Sequence, residues 1–173
     1  MFKQQNREQI DGLVALARQA VEAEVRRKPL ALPESRSPAQ PVFVTIERHG
    51  KVIGCRGTLR PRTRSLEEEV VQAARSAAGR DPRYRPLTPG DLTDFLVTVT
   101  IVERLEPISR ESISRLTPDD GLVLTTTSGK SGIVLPWEGK DPQTRLRWAY
   151  QKANVPEGAA GLLQRLIGQR FRG

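Results

Sequence analysis

The sequence predicts an α+β fold, a mixed or antiparallel sheet with packed helices, on three observations. Apolar residues recur at helical spacing near the amino terminus, a strand-turn-strand occupies residues 42–59, and a β-branched run covers residues 95–103. The helix is expected from about Asn6 to Arg26, because Ile10, Leu13, Val14, Ala17, Val21 and Val25 form one stripe, with Asn6 and Gln9 placed as an N-terminal capping pair. Pro29, Pro33, Pro38 and Pro41 then forbid helix and mark a connector over residues 28–41.

The hairpin reads VFVTIE, a corner at Arg48, His49, Gly50 and Lys51, and VIGCRGTL. A two-residue turn, with Gly50 supplying a positive φ, pairs Arg48 with Lys51. Carried on without a bulge, that register places Cys55 on the apolar face with Val42, Val44 and Ile46, and Arg56 on the other; an inserted residue reverses the assignment. Ser65 with Glu68 caps a second helix, whose Leu66, Val70, Ala73, Ala74, Ala77 and Ala78 make a face of mostly small side chains suited to lying close on a sheet. FLVTVTIVE is the strongest strand, nearly continuous and therefore expected to be central. A short helix over Ser109 to Leu116 precedes a second hairpin, GLVLTTT and GIVLP. Asp141 caps a third helix with Pro142 at its first position, and Pro156 lies beyond its end. The tail after Glu157 carries Leu162, Leu163, Leu166 and Ile167 and is expected as a carboxy-terminal helix within residues 156–173.

With 173 residues, 37% of them hydrophobic, one domain over residues 1–173 is expected to bury its own core. No stretch reaches the roughly 18 apolar residues of a membrane span, and MFKQQNREQID lacks the apolar middle of a secretory signal. A cytoplasmic protein without a membrane partner is the expectation. The single cysteine forms no internal disulfide and no Cys/His set has metal-ligand spacing, so no metal or cofactor is expected. A net charge of +8, from 22 Arg and 6 Lys against 20 acids, favours polyanions in general without specifying one.

The runs GKVIGCRGTL, DPRY, Glu106-Pro107-Ile108, DDGLVL, GKSGIVLP and RWAYQKANV resemble, in order and spacing, the AMMECR domain family over residues 42–155. That resemblance implies two unequal subdomains with a cleft near the cysteine-bearing strand. It also implies an association with Memo-like and radical SAM proteins, and no established reaction. The family motif typically reads Leu-Arg-Gly-Cys-Ile-Gly-Thr; here Ile53 replaces that arginine and Arg56 follows the cysteine. Where the family commonly has Leu-Pro-Gln-Val, this chain has Leu135, Pro136, Trp137 and Glu138.

Three functions follow as expectations. The first is binding of an anionic small ligand or RNA in a cleft built from the GCRGT strand and the DPRY loop. Gly54 and Gly57 would admit the ligand to the backbone, Arg56 and Arg83 would contact the anion, and Thr58, Asp81 and Tyr84 would complete the lining. The second is a cysteine-dependent enzyme using Cys55 as nucleophile. His49, six residues along an extended strand and hence about 18–20 Å away, is out of reach as its base, which leaves arginines to polarise the thiol. The third is an accessory role with Memo-like and radical SAM proteins, for which Trp137 is a candidate interface anchor.

Overall fold

The computed structural model describes residues 2–34 and 37–173, with side-chain surroundings from Glu8 onward. Its elements in order are α1 (Phe2–Val25), β1 (Val42–Arg48), β2 (Lys51–Thr58), α2 (Leu66–Gly79), β3 (Phe95–Ile108), β4 (Gly121–Thr126), β5 (Ser131–Val134), α3 (Pro142–Ala153) and β6 (Gly161–Arg172). Short 3-10 helices at Pro89–Leu92 and Arg110–Arg115 precede β3 and β4. The strand order is β2-β1-β3-β6-β4-β5, and β3 is central as its composition predicts. No described helix is long and apolar enough to cross a membrane.

The chain divides into two compact units, residues 1–101 with 170–173 and residues 102–169. In the first, Leu13, Leu16, Ala17 and Val21 of α1 and Val70, Ala74 and Ala77 of α2 share one buried cluster with Val42, Val44 and Ile46 of β1 and Val97 and Val99 of β3. Burying such aliphatic side chains is the main favourable term in folding, at roughly 1.5–3 kcal/mol each. The strand β1 pairs antiparallel with both β2 and β3, and the last residue of the chain, Gly173, exchanges backbone hydrogen bonds with Val97. In the second unit, β4 lies between β5 and β6, and Leu122, Leu124, Val134, Leu146, Ala149, Tyr150 and Leu163 form its core.

Three expectations need correction. The helix α1 begins at Phe2, so Asn6 lies inside it and is no cap; the Asn6 side chain, like Ser35 and Arg36 of the connector, lies outside the described residues. The tail is the strand β6, paired with β4 from Gly121↔Leu166 to Thr126↔Gly161. Its leucines fit helical spacing, yet Leu163 and Leu166 are buried while Leu162 stays half exposed, because partner strands take up the backbone groups that a helix would satisfy itself. The third correction is the β1–β2 register.

The turn at His49 and Gly50 has positive φ at both residues, as a tight hairpin requires, and Arg48 does pair with Lys51. The register then slips by one between Ile46 and Glu47, so that Ile46 faces Gly54 and Thr45 faces Cys55. Cys55 is thereby turned off the face of Val44 and Ile46, and Gly54 is turned onto it. The cause lies across the sheet: a Cβ on Gly54 would stand 2.2 Å from the Ala77 carbonyl oxygen of α2. Only glycine lets that helix lie so close.

Candidate functional site

The GCRGT strand and the DPRY loop do meet, through the backbone of the strand's free edge. The Cys55 N–H donates to Asp81 Oδ2 at 2.9 Å, and Arg83 Nη2 donates to the Cys55 carbonyl at 2.7 Å. Asp81 and Arg83 are joined in turn by a forked pair, Nε to Oδ1 at 3.0 Å and Nη2 to Oδ2 at 2.9 Å. An edge strand's unpaired donor and acceptor are thus answered by one ion pair two residues apart. Burial alone would raise the Asp81 carboxyl, but the hydrogen bonds from the Arg83 side chain, the Cys55 N–H and the Arg83 N–H, with the Arg83 charge, hold it below the ordinary value. The hydrogen bond to Asp81 is the main influence raising the Arg83 guanidinium, with the charges of Asp81 and Cys55 adding to it.

Cys55 is half-buried, and its Sγ lies 3.2 Å from Thr45 Oγ1. Thr98 stands across β1 from Cys55, paired with Thr45; it is 3% exposed and its hydroxyl has no hydrogen-bond partner among the described residues. Tyr84 is half-buried with its ring centroid 5.6 Å from the Arg83 guanidinium carbon.

On the helix side of β2, Arg56, Gly57 and Thr58 line a groove of about 350 Å³ together with Arg62, Gln72 and Ser76. The groove is held open by α2. Ser65 Oγ caps the helix by accepting from the Glu68 N–H at 3.2 Å, and Glu68 returns its carboxylate to the Arg64 N–H rather than to its own cap. Buried Glu69 accepts from the N–H groups of Arg62 and Thr63, which fixes the loop carrying Arg62 at the mouth. Gly57 serves packing as well, since a Cβ there would fall 2.2 Å from the Val42 carbonyl oxygen.

The predicted residues therefore divide. Arg56, Gly57 and Thr58 share the groove; Gly54 lies under α2; Cys55 faces the opposite side; Asp81 and Arg83 clip the edge of the strand. Gln72 and Ser76 were missed as lining residues, because only the closeness of α2, signalled by its alanines and by Gly54, brings them to β2. In the second unit Trp148 packs partly buried against the core, while Trp137 is 39% exposed with φ 61°.

A helix-flanked antiparallel sheet with a cysteine-bearing edge strand clipped by an Asp-Pro-Arg loop defines a class of α+β domain. The AMMECR1 family model matches residues 14–172, and the chain belongs to that family. It is 34% identical over 172 residues to a protein of Thermofilum pendens, covering 85% of this chain and 79% of the relative. With a protein of Aeropyrum pernix it shares 34% identity over 176 residues, 94% of this chain and 75% of that one. The fold is similar to the crystal structure of the uncharacterized protein PH0010 from Pyrococcus horikoshii, with a TM-score of 0.79 at 25% identity over 92% of this chain and 89% of the other.

Proposed function

We propose that this AMMECR1-family domain binds a phosphate-bearing small molecule in the groove between β2 and α2. The observation that carries the reading is the pair Arg56 and Arg62, which both line the groove while neither guanidinium has a hydrogen-bond or ion-pair partner among the described residues. A guanidinium matches phosphate oxygens with two parallel donors. Hydroxyls of Thr58, Thr63 and Ser76 and the Gln72 amide add polar contacts along the same walls. Glu69 also lines the groove, so the anion engages the arginine side and leaves the carboxylate to its loop amides. Arg83 is already neutralised by Asp81 and supports the strand rather than the ligand.

The groove has the volume of a small-molecule site, and the aromatic platform that stacks RNA bases is missing from its lining. Calorimetric titration with inorganic pyrophosphate at low salt is expected to show saturable binding. The Arg56→Ala/Arg62→Ala variant should weaken it by about a hundredfold, the loss of two charge-assisted contacts, with an unchanged melting temperature because both side chains are exposed. Saturation by a uridine oligonucleotide but not by pyrophosphate would replace the small ligand with RNA; binding of neither would end the proposal.

A second reading, a reactive Cys55 in a cysteine-dependent enzyme, is favoured by the neighbouring Arg83. Because a Cys55 thiolate helps to hold the Arg83 proton, the guanidinium reciprocally favours the thiolate. Cys55 is the single thiol in the sequence, so iodoacetamide alkylation reports on it alone. Alkylation is expected to proceed in the folded protein and to slow in Arg83→Met. A thiol that reacts only after denaturation would remove this reading.

A further inference from the structure

Three consecutive acids open α2, and only two of them are used. Glu68 and Glu69 hold the loop over residues 62–64 through its N–H groups, whereas Glu67 is 6% exposed and neither of its oxygens has a hydrogen-bond or ion-pair partner among the described residues. Its place in the first helical turn suits a negative charge. A buried carboxylate without hydrogen bonds is nonetheless costly, and native proteins rarely leave one unanswered.

Glu67 lines a cavity of about 360 Å³ between α1 and the connector, on the opposite side of α2's first turn from the loop its neighbours hold. Glu8 and Glu34, both exposed, stand in the same lining, and Leu13, Leu16 and Pro33 give it apolar surface. No Lys or Arg is among the described residues that line it. The carboxylates do not gather closely enough to hold a metal ion. Inner charge, outer charges and an aliphatic wall together describe the complement of an organic cation with a hydrocarbon stem.

We infer that this cavity is a binding site for a small aliphatic amine, its ammonium group paired with Glu67 and its stem against Leu13, Leu16 and Pro33. The ammonium supplies the donors that the Glu67 oxygens lack, and Glu8 and Glu34 attract the cation to the entrance. The site is separate from the β2–α2 groove and takes the opposite charge, so either can fail without the other.

The test is titration of the isotopically labelled protein with 1,5-diaminopentane, followed at the Gly12 and Glu67 amides; Gly12 lies in the cavity wall. Saturable shifts with a Kd near or below about 1 mM are expected, weakened about tenfold or more by Glu67→Gln. The neutral analogue 1-pentanol should leave both amides in place. Absence of saturation, equal effects of the alcohol, or an unchanged Kd in Glu67→Gln would overturn the site. The double variant Glu8→Gln/Glu34→Gln alters only exposed side chains; it should weaken the diamine several-fold, and unchanged affinity there would overturn the proposal independently of any effect of Glu67→Gln on folding.

Discussion

Arg145→Ala is expected to destabilise the second unit by about 3–5 kcal/mol, the largest effect of any single substitution considered for this chain. Arg145 lies on α3 and is 1% exposed. Its Nε donates to the Gly139 carbonyl at 3.2 Å, and its Nη1 donates to the carbonyls of Thr117 and of Asp120, the latter at 2.8 Å. One side chain thus holds the turn before β4 and the corner before α3. The space is cut to its shape, since a Cβ on Gly139 would fall 2.3 Å from Arg145 Cγ. Truncation takes a donor from three carbonyls, of which Thr117's keeps the Asp120 N–H, and leaves a cavity where the stem packed. Arg145→Met keeps most of the volume and isolates the hydrogen-bond part, about 2–3 kcal/mol of the total. Both tryptophans, Trp137 and Trp148, belong to this unit, so urea denaturation followed by tryptophan fluorescence reads it selectively. A loss below about 1 kcal/mol for Arg145→Ala would show that the carbonyls find other donors.

Asp81→Asn is expected to cost the first unit about 1.5–3 kcal/mol at pH 7, the range for hydrogen bonds to a charged group. The Asp81 side chain is 1% exposed, while the Arg83 side chain is 47% exposed, so the ion pair itself contributes little and the charge-assisted bond from the Cys55 N–H contributes most. The folded carboxyl titrates below its unfolded value of about 3.9. Its contribution is therefore complete above that value and is lost as pH falls through the lower, folded one. The gap between wild type and Asp81→Asn should accordingly narrow between pH 5 and the acid limit, measured by urea denaturation with circular dichroism. An equal gap at pH 7 and at pH 2 would assign the cost to shape rather than charge. Asp91, held below its ordinary value chiefly by the Arg85 side chain, titrates over the same acid range in both proteins and cancels in the difference.

The candidate site was legible in the sequence as a set of residue types and only partly as a place. GCRGT and DPRY are each local runs, and the structure does bring them together. What the runs could not express is that Asp81 and Arg83 hold the backbone of Cys55, because the strand edge they satisfy exists only once β2 has paired with β1 alone. Gln72, Ser76 and Glu67 gave no signal, since an amide, hydroxyl or charged residue in an exposed pattern reads the same whether or not a cavity faces it.

The sequence by itself determined whatever is decided within a few residues. The Ser65 and Asp141 caps, Pro142 at the first position of α3, the His49-Gly50 turn, and the β-branched run of β3 all follow from backbone sterics and short-range hydrogen bonds. Tertiary structure decided two things that local preference did not fix. Leu163 and Leu166 fit the helical period, and pairing with β4 nonetheless made their segment a strand. The β1–β2 register could run straight or slip at Ile53, and the close approach of α2 to Gly54 chose the slip, because a period-2 strand must turn a position without a side chain toward the helix backbone. That single steric demand turned Cys55 away from the core and set Arg56 in the groove.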